Sequence, residues 1–122
     1  MEQKITIKGI EFPFDIMNLE TSERYEAAMK AVTDEINALD LDNMANTAAM
    51  REQMRIVQKC FSTVLGEDVP KKIFCGRLNL REHLEAFKEL FDAANEQSSS
   101  FASTARSIMG TPNREQRRAA KK

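Results

Sequence analysis

The sequence is poor in turn-forming and large aromatic residues. Its 122 residues include no tryptophan, one tyrosine, four glycines and three prolines. An all-β sandwich needs many tight turns, so this composition favours helices. The length suits a single domain, and a 42% hydrophobic content allows a core without disulfide or metal support.

Residues that hold metals or carry out catalysis are also scarce. His83 is the only histidine, and the two cysteines, Cys60 and Cys75, do not form a CxxC pair. One histidine and two thiols cannot complete a four-ligand zinc site, and two cysteines make a poor disulfide scaffold. No phosphate-binding glycine motif or nucleophile elbow is present. We therefore expect no catalytic residue, no cofactor and no metal.

One pair of residues leaves an alternative open. Cys75 could act as a nucleophile if His83, eight residues further along, served as its base. The structural interpretation is that the cysteine is a small apolar residue and that the histidine covers the border of a helix's apolar face. We favour the structural interpretation for both residues.

Long apolar runs are absent as well. No stretch approaches the roughly 20 apolar residues of a membrane span, and the first residues lack the apolar run of a signal peptide. We expect a cytoplasmic protein that does not contact a membrane.

Residues 4–14, KITIKGIEFPF, alternate apolar and polar residues on both sides of Lys8-Gly9. Alternation around a two-residue turn that contains glycine predicts a β-hairpin with one buried face. The expected inward residues are Ile5 and Ile7 before the turn and Ile10, Phe12 and Phe14 after it. Pro13 lacks an N–H and should lie at an edge or a strand end.

Helical periodicity follows as far as residue 95. Apolar residues recur at steps of three or four over roughly 22–39, 46–65 and 79–95. Pro70 suits the first turn of a short helix between the second and third segments, and Asn79 can cap the third. The apolar face expected to be buried on the third helix consists of Leu80, Leu84, Phe87, Leu90, Phe91 and Ala94. The predicted fold is α+β and mainly α, with the hairpin packed on about three long helices and one short one.

We divide the chain into a hairpin and helical domain at 1–95, a marginal amphipathic segment at 96–112 and a flexible basic tail at 113–122. The middle segment is serine-rich, although Phe101, Ala105, Ile108 and Met109 keep helical spacing. Its predicted end lies at Gly110 and Pro112. Phe101, Ile108 and Met109 are candidate partner-binding residues because the predicted core does not need them.

Charge is divided unevenly along the chain. The net charge is −1, but residues 106–122 hold six basic residues and one acid, so residues 1–105 carry −6. On a helix, the candidate partner-binding residues Arg114, Arg117, Arg118 and Lys121 would share one face. This tail could be a solvated terminus, or it could bind an acidic protein surface or nucleic acid. It could also join copies of the protein head to tail.

The two ends of the sequence resemble a known group of proteins. An N-terminal KITIKGIEFPF hairpin before an acidic helical body, and a closing NREQRRAAKK with Asn113, Arg114, Gln116, Arg117 and Arg118, are similar to the small tail assembly chaperones of long-tailed bacteriophages of Gram-positive hosts. The resemblance covers the ends and the overall size, whereas the helical middle matches only in type.

The resemblance implies a non-catalytic phage protein that coats the helical tape measure protein during tail assembly, in the cytoplasm of the bacterial host. The expected partners are that client and further copies of the chain. A small nucleic-acid-binding or regulatory phage protein that uses the basic tail is the main alternative, and a structural tail or head-completion subunit is another.

Overall fold

Two strands and four helices follow one another along the described part of the chain. The computed structural model describes the backbone of residues 3–121 and the side chains of residues 3–100. The elements are β1 (Lys4–Ile7), β2 (Ile10–Pro13), α1 (Leu19–Ala38), α2 (Asn46–Val64), α3 (Val69–Phe74) and α4 (Leu80–Lys121), with a 3₁₀ turn at Leu41–Asn43. The predicted fold, a hairpin followed by three long helices and one short one, is confirmed.

The hairpin forms where the sequence predicts it. Lys8 and Gly9 have φ values of 50° and 82°, as a two-residue type I′ turn requires. The turn sets an antiparallel register in which Ile7 pairs with Ile10 and Ile5 with Phe12. Alternation then buries Ile5, Ile7 and Phe12 on one face.

Helix α1 begins earlier than the spacing predicts. The Asn18 side chain accepts a hydrogen bond from the Thr21 amide at 3.2 Å, so Asn18 is the N-cap. Thr21 and Ser22, either of which the sequence would allow as the cap, therefore lie inside the helix, and the Ser22 hydroxyl donates to the Ile16 carbonyl. Asparagine is as good an N-cap as serine, which makes the two starts hard to separate by sequence.

Helix α2 supplies the centre of the core. Phe61 is fully buried, and its ring meets that of Phe74 of α3 edge-on at 6.1 Å between centroids. The remaining core residues come from the hairpin, α2, α3 and α4, and α1 contributes one fully buried residue, Ala28. The hairpin, which would be marginal alone, is stabilised by packing on these helices.

Helix α4 is joined to the hairpin by side-chain hydrogen bonds. The Gln97 amide accepts from the Ile16 N–H at 2.9 Å and donates to the Phe14 carbonyl at 2.8 Å. At the turn, the Lys8 N–H donates to Glu89 at 3.2 Å. These bonds satisfy backbone groups at both ends of the hairpin and fix its position along α4.

The buried face of α4 differs from the predicted one. Leu84 and Phe91 are 44% and 46% exposed, and Leu80 and Phe87 are half-buried. The buried residues are instead His83, Ala86, Leu90 and Ala94. Small side chains at Ala86 and Ala94 allow neighbouring elements to approach the helix closely, which favours this face for the core. The prediction that Leu84 and Phe91 are core residues is therefore wrong.

The predicted end of the last helix is also wrong. Helix α4 runs from Leu80 to Lys121, so Gly110 and Pro112 lie within it, and residues 96–121 continue the helix that begins before them. The division of function between residues 1–95, 96–112 and 113–122 stays a prediction. A proline removes one backbone hydrogen bond, but the alanine, arginine, lysine, glutamine and glutamate residues that follow are good helix formers. Their summed propensity favours continuation beyond the proline.

Within the described part of the chain, none of the helices has the length and apolar content needed to cross a membrane.

Candidate protein-binding surface

An apolar stripe along the first three turns of α4 is only partly covered, although one of its members, Phe87, also packs against the core. Leu80, Leu84, Phe87 and Phe91 stand at steps of four, three and four, so they follow one line along the helix. All four are half-buried or exposed. We call these four residues the α4 stripe.

Helix α2 extends the stripe into a shallow groove. Met50, which is 38% exposed, faces Leu80 and Leu84 across a groove of about 540 Å³. The flexible thioether of methionine can adapt to partners of different shape. The groove is therefore suited to a protein side chain or a helix face.

Charged residues border this groove. Arg81, Glu85 and Lys88 line it on α4. The Lys8 ammonium lies 2.6 Å from a Glu85 carboxylate oxygen; this hydrogen bond raises the pKa of Lys8 and holds the pKa of Glu85 below its usual range. Apolar side chains with charged residues around them are the usual composition of a protein interface.

The other sequence candidate, His83, is buried and fully hydrogen-bonded. Its ring stacks on Phe74 with 3.8 Å between centroids and 3° between planes. The Nδ1 atom is 2.7 Å from the Asn79 carbonyl, which can only accept, so Nδ1 carries the proton. The Nε2 atom then accepts from the Gln58 amide at 2.9 Å, which corresponds to the neutral ring. The spacing predicted that His83 lies at the border of the core, whereas the structure places it inside the core.

These contacts argue against a Cys75–His83 pair. Both ring nitrogens already have partners, so neither can accept a proton from the Cys75 thiol. The Sγ atom of Cys75 lies 3.6 Å from the Lys72 carbonyl. Among the described side chains, no three histidine, cysteine, aspartate or glutamate residues gather where they could hold a metal ion.

The two cysteines should differ sharply in reactivity. Cys60 is buried, and burial raises the pKa of its thiol to about 12, whereas Cys75 is exposed at the left-handed end of α3. Since the thiolate is the reactive form, we expect a disulfide reagent to titrate one thiol in the native protein and two after unfolding. Cys75→Ser should abolish the native reaction. Equal native reaction rates for the two thiols would contradict the assigned burial.

The comparison with protein families now places the chain. It belongs to DUF6673, a family of unknown function, and the match covers residues 8–121. The matched DUF6673 range contains the α4 stripe, Met50 and the C-terminal half of α4. No curated protein and no solved structure matches the chain.

The predicted partner-binding residues all lie outside the described side chains, so their role stays a prediction. They are Phe101, Ile108, Met109, Arg114, Arg117, Arg118 and Lys121. The α4 stripe is not among the residues predicted to bind a partner, because helical spacing assigns its four members to the buried face. Helical spacing did show that these residues share a face, but not which part of that face the core would cover.

Proposed function

We propose that this DUF6673 protein is a non-catalytic phage tail assembly chaperone that binds the helical tape measure protein in the host cytoplasm. The α4 stripe is the observation on which the proposal rests, because it presents two exposed apolar side chains, Leu84 and Phe91, on a well-supported helix. The resemblance of the hairpin and the closing NREQRRAAKK to such chaperones supplies the identity of the client.

The stripe has the geometry of a helix-binding surface. Leu80 and Phe91 are 11 residues apart, which corresponds to about 17 Å along the helix axis. A helix with apolar residues at i, i+4 and i+7 could lay that face against the stripe over the same length. Met50 would cover one side of the docked helix, and the charged border would set its direction.

The test is binding to the tape measure protein encoded in the same phage genome, co-expressed with the full chain. Leu84→Glu combined with Phe91→Glu should abolish co-purification, since two carboxylates would be buried without partners at the interface. The matched control is Ala27→Glu with Asn37→Glu, which adds the same charge at exposed positions of α1. The control should bind like the unaltered chain.

Two results would count against the proposal. Undiminished co-purification of the Leu84 and Phe91 variant, with a normal circular dichroism spectrum, would exclude the stripe as the binding surface. Salt-sensitive binding to duplex DNA in place of the client, lost on removal of residues 112–122, would favour a nucleic-acid-binding protein instead.

A further inference from the structure

The outer edge of β1 has backbone groups that the hairpin does not use. In a two-residue hairpin the residues next to the turn form a hydrogen-bonded pair, and such pairs alternate along the strands. Ile7 and Ile5 therefore bond to β2, and the Phe14 N–H continues the pattern with the Gln3 carbonyl at 3.0 Å. The N–H and C=O groups of Lys4 and Thr6 point to the other side.

A groove of about 810 Å³ lies along this edge. Its floor and walls are Gln3–Thr6 on one side and residues of α4 from Glu89 to Ser100 on the other. Further along the same edge, the Lys8 N–H is already bonded to Glu89. The Lys4 and Thr6 groups, by contrast, face the groove, so they remain available to a ligand.

The groove is acidic. Asp15, Glu89, Asp92 and Glu96 line it, with Lys4 as the one basic residue in the lining, and Asp92 also forms an exposed ion pair with Lys88 at 2.8 Å. Four carboxylates and the two strand carbonyls are all hydrogen-bond acceptors. The occupant that matches this lining is a positively charged segment rich in N–H donors, for which arginine is the best side chain.

We propose that the groove binds the C-terminal segment 113–122 of a second copy of the chain. This segment contains five basic residues and one acid, and residues 106–122 as a whole carry +5 against −6 on the rest of the chain. Residues 106–122 and residues 1–105 therefore have net charges of opposite sign and nearly equal magnitude.

A chain cannot place this segment in its own groove. The groove wall and residues 113–121 of the basic segment belong to one continuous helix, α4. Residue 113 lies 13 residues beyond Ser100, which is about 20 Å further along the helix axis and directed away from the groove. The contact must therefore form between molecules.

The interface is heterologous, because a tail on one copy meets a groove on the next. Two copies joined in this way still have one unoccupied groove and one unoccupied tail. Further copies can therefore add, and the contact produces rings or open chains of molecules. It depends on charge and should weaken strongly with salt. The interface does not involve the α4 stripe, so it stands independently of client binding.

The test is light scattering with size exclusion on the full chain, without any client. In about 0.05 M salt the mass should exceed the 13.9 kDa monomer and rise with concentration, and in about 0.5 M salt it should return to the monomer. Asp92→Lys with Glu96→Lys should give a monomer in both salts. Arg117→Glu with Arg118→Glu should do the same.

Mixing the two variants distinguishes a specific groove–tail contact from a general loss of association caused by the altered net charge. The groove variant and the tail variant, each monomeric alone, should form a one-to-one complex when mixed, since the unaltered acidic groove of the tail variant then meets the unaltered basic tail of the groove variant. Glu23→Lys with Glu26→Lys reverses two exposed charges on α1 and serves as the control, which should associate normally. A monomeric unaltered chain in low salt, or groove and tail variants that associate like the control, would overturn the proposal.

Discussion

Phe61→Ala should lower the free energy of unfolding by about 3–5 kcal/mol, the range for truncating a fully buried phenylalanine. Phe61 has no exposed surface and packs edge-on against Phe74. It lies near the C-terminal end of α2, in a core cluster that also contains residues of the hairpin, α3 and α4. The cavity left by the missing ring cannot collapse without moving several elements. Urea unfolding followed by circular dichroism would measure the change.

Phe91→Ala is the matched control. The same atoms are removed, but the Phe91 side chain is 46% exposed on the α4 stripe, so the loss should stay within about 1 kcal/mol. Similar losses for the two variants would show that Phe91 belongs to the core, and the stripe would no longer be a free surface. The comparison therefore tests the fold and the candidate site together.

The hairpin could be predicted almost residue by residue. A strand has a period of two, and the Lys8-Gly9 turn has a fixed length, so the turn position decides which residues pair and which point inward. Ile5, Ile7 and Phe12 are buried as predicted. The local sequence contains all the information that this element needs.

The orientation of α4 could not be predicted in the same way. Its apolar residues span more than half a turn, and packing decides which part of that arc is covered. Ala86 and Ala94 permit a close approach, whereas Leu84 and Phe91 are the larger apolar residues that helical spacing would place inside. The stripe consists of large apolar residues that the core does not cover. A prediction that places the largest apolar side chains in the core therefore cannot identify this surface.

The end of α4 was missed for a different reason. Gly110 and Pro112 are the usual signals for the end of a helix, and each acts locally. The continuous helix depends on the summed propensity of residues on both sides, which single-residue signals do not capture. The continuity of α4 bears on the proposed self-association, because it places the basic residues away from the groove of their own molecule.

His83 provides the second large effect. His83→Ala should lower the free energy of unfolding by about 3 kcal/mol, because it leaves a cavity against Phe74, removes the partner of Gln58 and removes one of the two donors to the Asn79 carbonyl. His83→Phe separates the two causes, since it keeps a ring stacked on Phe74 but supplies no hydrogen bond. It should recover part of the loss, and a full recovery would mean that the two hydrogen bonds contribute nothing.

A double-mutant cycle with Gln58→Ala tests the hydrogen bond between Gln58 and His83. If the Nε2 atom accepts from the Gln58 amide, removing either partner leaves the other unsatisfied, and removing both should cost about 1 kcal/mol less than the two single losses combined. Additive losses would show that Gln58 and His83 do not interact. Nε2 would then be unpaired inside the core and available to Cys75, which would reopen the catalytic interpretation. A coupled pair instead makes His83 a structural residue, and it leaves the surfaces of α4 as the proposed binding sites of this protein.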